Sequence, residues 1–301
     1  MIANSQTPLT PEVKVITTAL YSQLIQVMGI KHPSLIARCL YPILHFPARR
    51  MSTLLVELDR NIAKVGWNSA VNLFLCNFTN KVRILNQVDI PRSGPLMVIC
   101  NHPAAYDLVI LAALTPRDDL KIIASDIPII QLMPNIADHI IPVPYHIPSR
   151  LGTVRSAIQH LKNEGSILIF PRGNVEPDPT VSPGAEQSLS GWSPSVELFL
   201  RHVPQTVTVV AAISGVLSAK WYKNPLVNRW KKYEQRQKVS EIFQIASQLF
   251  IGQKPTSTPL VNFSLPLTVD DLGGEFSPDG TLLASLLQQE RSLLSSHPHV
   301  Y

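Results

Sequence analysis

From about residue 81 onward, apolar and polar residues follow a pattern that predicts an α/β fold. Short, mostly apolar runs typical of buried strands occur at Val82–Leu85, Leu96–Cys100, Leu120–Ala124, Ile140–Val143, Ser166–Phe170 and Val207–Ile213. Helical periodicity occurs at Ala104–Leu114, Arg150–Lys162 and Ser195–Arg201. Because strands alternate with helices, we expect a mixed, mostly parallel sheet flanked by helices over residues 81–301. An edge strand at Asn262–Val269 and a terminal helix near Leu282–Leu294 complete this predicted domain.

Residues 1–80 predict an N-terminal helical extension. After a polar tail, helical periodicity runs from Pro11 to Asn80 in three or four pieces, with breaks expected near 31–33 and at Phe46-Pro47. Residues 35–58 combine apolar residues with arginines. The apolar face of this segment could dock on the α/β domain or lie in a membrane interface, and docking is favoured.

Two proline-rich segments interrupt the regular pattern. Pro128–Pro148 is apolar but contains five prolines, so it cannot form a long regular helix. It predicts either an apolar loop or lid around a site, or irregular core packing. Pro177–Pro194 is rich in Pro, Ser and Gly and predicts a long, mobile surface loop.

Composition narrows the class of partner. The 301 residues carry a net charge of +5, which favours an anionic partner such as a membrane surface, a nucleic acid or a phosphorylated substrate. With 45% hydrophobic and only 16% charged residues, the chain is apolar for a soluble globular protein. No stretch reaches the roughly 18 uninterrupted apolar residues of a spanning helix. Cys39, Cys76 and Cys100 stand among apolar neighbours, so we expect buried, reduced thiols.

The strongest chemical signal is His102, with Asp107 five residues later. Leu96–Cys100 should place His102 at the carboxyl end of a strand, where ligands of α/β sheets gather. Asn101 is a candidate helix N-cap, and Pro103 suits a first turn. Asp107 would then orient the imidazole as a general base. The alternative is that the pair only caps a helix.

A second strand predicts a turn at the same edge. Ser166–Phe170 leads into Pro171, Arg172 and Gly173, which would bring a cation and a closely approaching backbone to the site. No His or Cys spacing typical of a metal site occurs, and G-x-S-x-G, dinucleotide-binding and P-loop patterns are absent from the sequence.

Asn-His-Pro-Ala-Ala-Tyr-Asp at 101–107, followed by Phe-Pro-Arg-Gly at 170–173, resembles the glycerolipid acyltransferase superfamily typified by 1-acylglycerol-3-phosphate acyltransferases. The order and separation of the motifs match over roughly residues 80–216. The resemblance implies transfer of a fatty acyl group from acyl-CoA or acyl carrier protein to a hydroxyl of a lysophospholipid or glycerolipid-like acceptor. His102 would be the general base and Asp107 its orienting partner, with no cofactor besides the acyl donor.

The acceptor motifs depart from the family pattern. Arg172 stands where the family has Glu, and Asn174-Val175 replace Thr-Arg. The second motif ends in Tyr145 instead of Arg, and the fourth, at 209–211, lacks its proline. These departures put a 1-acylglycerol-3-phosphate acceptor in doubt.

The resemblance nevertheless suggests a set of substrate-binding residues. They are Asn101, Tyr145, Arg150, Pro171, Arg172 and Gly173, with Arg155 as a further cation. Glu176 could replace the missing carboxylate, or it could be a solvated loop residue. Two alternative functions stay open, namely a catalytically silent lipid- or acyl-binding protein and an acyl-thioester hydrolase.

Residues 220–238 concentrate cations with Trp and Tyr, a composition that favours anionic lipid headgroups. We expect a peripheral membrane protein on the cytoplasmic face that binds through 220–238, with 35–58 as a second candidate segment. The alternative is a solvated helix whose Trp221 and Trp230 pack inward. No nucleic-acid-binding motif supports a nucleic-acid partner.

Overall fold

The computed structural model describes residues 10–31, 33–144, 146, 150–252, 257–274 and 281–299. Its sheet contains β1 (Arg83–Ile84), β2 (Leu96–Cys100), β3 (Lys121–Ser125), β4 (Ile140–Val143), β5 (Ser166–Ile169), β6 (Val207–Ser214) and β7 (Leu260–Phe263). The strand order is β1-β7-β6-β2-β5-β3-β4. Only β6 and β7 pair in antiparallel fashion among the described strands, which confirms the mixed, mostly parallel prediction.

The prediction that the last strand is an edge strand was wrong. β7 lies between β1 and β6, and the two-residue β1 takes the edge instead. The side chain of Asn86 contributes to this arrangement, because its oxygen accepts the Phe263 N–H at 2.9 Å. A partner so distant along the chain leaves no local pattern in the sequence of β7 itself.

β2 is the central strand, and its position determines where the site forms. All five of its residues are buried, and it pairs in parallel with β5 on one side and β6 on the other. Leu96 lies opposite both Ser166 and Val207, so the three strands end at the same edge. The segments that follow β2 and β5 therefore meet, as the sequence predicted.

Helices cover both faces of the sheet. They are α1 (Pro11–Val27), α2 (Leu35–Val65), α3 (Trp67–Leu75), α4 (Asp107–Leu114), α5 (Pro134–Ala137), α6 (Arg150–Lys162), α7 (Ala185–Ser188), α8 (Ser195–His202), α9 (Ala219–Tyr222), α10 (Tyr233–Ile251) and α11 (Leu282–Ser295). One core layer joins the sheet to α1–α4, and the other joins it to α6, α8 and α11. Among the described residues, no helix combines the length and apolar character needed to cross a membrane.

The N-terminal region is helical as predicted, but one expected break is absent. α1 ends at Val27 and α2 starts at Leu35, consistent with a break near 31–33, of which His32 lies outside the described residues. The break at Phe46-Pro47 was wrong, because α2 continues through Pro42 and Pro47. Packing against α1, α3 and α10 compensates the hydrogen bonds that the prolines remove. Val56 and Leu58 enter the main core, so the last part of this segment docks on the α/β domain, whereas Leu35, Ile36 and Ile43 stay exposed.

The proline-rich segments pack closely. The described part of Pro128–Pro148 contains a short 3₁₀ helix, α5 and β4, and it buries Ile129, Met133 and Ile136, which favours irregular core packing over a lid. Pro177–Pro194 is not the predicted surface loop. Asp178 in this segment is fully buried and accepts hydrogen bonds from the amides of Thr180, Gly215 and Leu217.

The expectation of three buried thiols holds only for Cys100, because Cys39 and Cys76 are exposed. Both lie on helices of the N-terminal region or directly after one, where apolar neighbours in sequence point to other sides of the helix.

Candidate active site

His102 and Asp107 come together as predicted between the end of β2 and the start of α4. His102 Nδ1 lies 3.0 Å and 3.1 Å from the two carboxylate oxygens of Asp107. Asp107 is fully buried, whereas the imidazole side chain is 19% exposed. The carboxylate therefore favours the tautomer with hydrogen on Nδ1 and leaves Nε2 as the basic nitrogen.

Two opposing influences act on His102. Burial lowers its pKa, but the charge and hydrogen bond of Asp107 outweigh this effect, so the pKa is raised above its usual value. Glu176 and Glu241 raise the pKa further. A base with a raised pKa accepts a proton more readily, provided that it is neutral at the working pH.

Asn101 does not cap α4 as the sequence suggested. The helix begins only at Asp107, and its N-cap position, Tyr106, makes no side-chain cap bond. The Asn101 side chain instead binds the backbone of Ile213 on β6, accepting from its N–H at 2.8 Å and donating to its carbonyl at 3.0 Å. The cap prediction was wrong because β6 offers both backbone groups beside the end of β2.

Glu176 joins the segment after β5 to His102. Its carboxylate accepts the His102 backbone N–H at 2.8 Å, and its own N–H donates to the His102 carbonyl at 2.7 Å. The other carboxylate oxygen accepts from Trp192 Nε1 at 3.0 Å and Ser188 Oγ at 3.2 Å. Glu176 is fully buried, so the alternative of a solvated loop residue was wrong. Burial raises its pKa despite these donors.

The Phe170–Gly173 turn lies against the same histidine. The Phe170 ring stacks on the imidazole with centroids 4.4 Å apart. Gly173 adopts φ +65, a conformation that favours glycine, and its N–H donates to the Phe170 carbonyl at 3.0 Å. The Pro171 carbonyl accepts the Ser193 N–H at 3.0 Å.

The Arg172 guanidinium is engaged by neighbouring protein groups. Nη1 donates to the Val175 carbonyl at 2.7 Å and to the Tyr233 hydroxyl, and Nη2 lies 3.8 Å from a Glu234 carboxylate oxygen. The guanidinium also stands 5.7 Å from the centre of the Tyr233 ring. Arg172 thus links the turn to the start of α10, and its substrate role stays a prediction.

The remaining predicted cations lie on α6. Arg150 is exposed, and its Nε lies 3.4 Å from the Pro144 carbonyl oxygen. Arg155 is exposed on the same helix. Tyr145 lies outside the described residues. Among the described contacts, none joins these cations to His102.

The sequence analysis missed a set of polar residues on the buried face of α10. Glu241 accepts the backbone N–H groups of Ala105 at 3.1 Å and Tyr106 at 2.8 Å. Gln237 donates to the carbonyls of Pro103 and Glu176 at 2.8 Å and 2.7 Å. Polar residues recurring every three or four positions within a helix that also carries apolar residues were the available signal.

A further buried acid, Glu290 on α11, was also missed. It is fully buried, and no side chain within the described part of the chain donates a hydrogen bond to its carboxylate oxygens, although the Asn101 backbone N–H opposes the rise of its pKa. Burial first, and then the nearby Glu176, raise its pKa well above the usual value. Burial therefore favours the neutral form of this carboxyl in the folded protein. No group of His, Cys, Asp and Glu among the described residues is arranged to hold a metal ion.

The comparison with protein-family models agrees with the motifs. Residues 81–210 match the family model described as Acyltransferase. Among solved structures, the chain is similar to the 1-acyl-sn-glycerophosphate acyltransferase PlsC from Thermotoga maritima, with 14% identity, 95% of this chain and 94% of that chain covered, and a TM-score of 0.42. A comparison with curated proteins found no match. The family match supports the resemblance that the motifs indicated, because residues 81–210, which contain both motifs, are similar to the Acyltransferase family.

Proposed function

We propose that the protein transfers a fatty acyl group from a thioester, acyl-CoA or acyl carrier protein, to a hydroxyl of a lysophospholipid or glycerolipid-like acceptor. The observation that carries the proposal is the buried Asp107 carboxylate, which places both oxygens within 3.1 Å of His102 Nδ1. A histidine oriented in this way and partly exposed on its other side is suited to general-base catalysis.

In the proposed reaction, His102 Nε2 removes the acceptor hydroxyl proton as the oxygen attacks the thioester carbonyl. The C–O bond forms, the C–S bond breaks, and the departing thiolate receives the proton from the imidazolium. Asp107 stabilises the imidazolium in between, as the carboxylate does in a catalytic triad, but without an enzyme nucleophile.

The transient oxyanion requires hydrogen-bond donors. Amides at the start of α4 are already engaged, since Ala104 donates to Asp107 and the next two amides donate to Glu241. The turn at 171–174 is therefore the better candidate, although Pro171 has no N–H and the Gly173 N–H is bound to Phe170. We assign the donor to the amides of Arg172 or Asn174.

The test is to incubate the protein with radiolabelled acyl-CoA, and in parallel with radiolabelled acyl carrier protein, together with a panel of lysolipids and monoacylglycerols, and then to separate the products. A new labelled lipid supports acyl transfer and identifies the acceptor. Labelled free fatty acid alone would indicate a thioester hydrolase, and no product from either acyl-CoA or acyl carrier protein would indicate a binding protein. The last two outcomes contradict the proposal.

We also propose peripheral association with the cytoplasmic face of a membrane. Leu35, Ile36 and Ile43 on α2 are 77%, 61% and 59% exposed, and Lys231 and Lys232 are exposed before α10. Trp221 stacks on Phe243 and Trp230 packs on the adjoining cluster, as the inward-packing alternative expected, so the cations would make the headgroup contact.

Co-sedimentation with vesicles tests this association. Binding to vesicles that contain phosphatidylglycerol should exceed binding to phosphatidylcholine vesicles and should weaken in K231E/K232E. Equal recovery with both vesicle types, unchanged in the variant, would contradict the role of these cations.

A further inference from the structure

α10 lies outside the residues that match the family model, yet its buried face contacts residues 102–107, called the catalytic segment below. Gln237, Glu241 and Gln244 are almost completely buried on this helix, at 0%, 7% and 4% exposure. Their spacing of four and three residues places all three on one side of the helix. Burying a polar side chain is costly unless it forms hydrogen bonds, and each of these three side chains bonds to backbone groups.

Glu241 supplies from α10 the cap that α4 lacks. The first amides of a helix have no partner within the helix, and a side chain at the N-cap usually accepts one of them. Tyr106 occupies that position in α4 and makes no such bond. Glu241 accepts the N–H groups of Ala105 and Tyr106 instead, with one carboxylate oxygen for each.

The bonds made by Glu241 lie between the two members of the catalytic pair. Ala105 and Tyr106 occupy the positions directly before Asp107, and Asp107 itself accepts the Ala104 N–H at 2.9 Å. A shift of these amides would therefore move the carboxylate that orients His102. Gln237 reinforces the arrangement, because its side-chain amide bridges the Pro103 and Glu176 carbonyls.

We propose that Glu241 is a positioning residue for acyl transfer, which acts by holding the Ala105 and Tyr106 amides so that Asp107 stays aligned with His102. This inference rests on the proposed chemistry at His102. Gln244, one turn further along α10, serves as an internal comparison. It accepts the Ser218 N–H and donates to the Val216 carbonyl, so it holds the chain beyond β6 and has no bond to the catalytic segment.

Charge adds a pH dependence to this role. Burial raises the pKa of Glu241 to about 7, with Asp107 adding to the rise while the two amides and His102 oppose it. The buried Tyr106 hydroxyl, with its own raised pKa, is a further titratable neighbour. In turn, Glu241 contributes to the raised pKa of His102. Removing the carboxylate should therefore lower the pKa of His102.

The experiment compares E241Q with Q244A in the acyl-transfer assay. Gln has the shape of Glu but only one acceptor oxygen, so one amide would face an NH₂ donor. We expect kcat of E241Q to fall roughly ten- to a hundred-fold, with the KM for acyl-CoA changed less than threefold. The acidic limb of its pH–kcat profile should move to lower pH. Q244A should keep both kcat and the position of that limb.

A kcat for E241Q within twofold of wild type with an unmoved acidic limb would overturn the proposal. Equal losses in E241Q and Q244A would overturn it as well, because they would indicate general destabilisation.

A measurement on the unmodified chain needs no activity and no variant. Amide hydrogen exchange of Ala105 and Tyr106, corrected for the intrinsic rate, should lose protection as pH falls from 8 to 6. The Ser218 amide, held by the non-titrating Gln244, should not. Unchanged protection of all three would contradict the role of Glu241 even in a protein that catalyses acyl transfer. The absence of acyl transfer with this pH response intact would contradict only the proposed function.

Discussion

Strands β2 and β5 end at the same edge of the sheet, and the segments that follow them use their polar side chains differently. After β2, Asp107 is buried and His102 stays partly exposed, so a basic nitrogen remains available. After β5, the side chains of Arg172 and Glu176 are both taken up by protein groups. The first segment thus offers a reactive group, and the second holds the first in place.

This difference explains how the motif after β5 can depart from the family pattern while the His102–Asp107 motif keeps it. In the proposed reaction, the His–Asp pair performs general-base chemistry that most other residue types at those positions could not perform. By contrast, a carboxylate that only accepts a hydrogen bond from a backbone N–H can be supplied by any position in the chain that lies close enough to that N–H. In this chain Glu176, four residues after Arg172, contacts the His102 backbone. Glu176 therefore supplies a carboxylate to the His102 backbone in a chain that carries Arg at position 172.

Among the variants that test this comparison, the largest loss of kcat is expected when the hydrogen bonds between Glu176 and His102 are disturbed. In E176Q, one of the donors from His102, Trp192 and Ser188 would lose its acceptor, so we expect kcat to fall roughly ten- to a hundred-fold. Steady-state kinetics with the acceptor found in the product assay provides the measurement. Near-UV circular dichroism checks that the fold is kept, and an unchanged kcat would show that these hydrogen bonds are dispensable.

A smaller effect is expected at Arg172. Because its guanidinium is engaged by Val175, Tyr233 and Glu234, R172M should change the KM for 1-acylglycerol-3-phosphate or for a monoacylglycerol by less than threefold. Thermal unfolding should show a loss of about 1 kcal/mol from the broken hydrogen bonds. R92M, at an exposed cation between β1 and β2, is the matched control. A KM increase above tenfold for the phosphate acceptor alone would instead assign Arg172 to phosphate binding.

The third prediction concerns stability more than rate. Glu290 is fully buried and has a raised pKa in the folded state, so the folded protein holds the carboxyl proton more tightly than the unfolded chain does. E290M should increase the free energy of unfolding at pH 7 by about 1–3 kcal/mol, with the gain shrinking toward pH 4.

Urea unfolding at both pH values measures this gain, and E186M, at an exposed carboxylate, should change stability little. A loss of stability in E290M at pH 7 would mean that the buried acid is held by interactions that the carboxyl group requires.

The sequence predicted what depends on local pattern. The strand at Leu96–Cys100, the helix at Arg150–Lys162 and the His102–Asp107 pair were found from apolar runs and short spacings. It missed whatever depends on distant partners. The bond from Ala105 to Glu241 spans 136 positions, and the one from Asn101 to Ile213 spans 112. Asn101 is a reasonable N-cap residue on local sequence alone, but its side chain binds β6, a strand that only the fold brings close to it.

The central claim is that His102 acts as the general base, and H102A tests it most directly. The initial rate of acyl transfer should fall by about 10²–10⁴-fold, because the acceptor hydroxyl loses its proton acceptor. Binding of acyl-CoA, measured separately by calorimetry, should stay within threefold of wild type. A near wild-type rate in H102A with normal acyl-CoA binding would contradict the account.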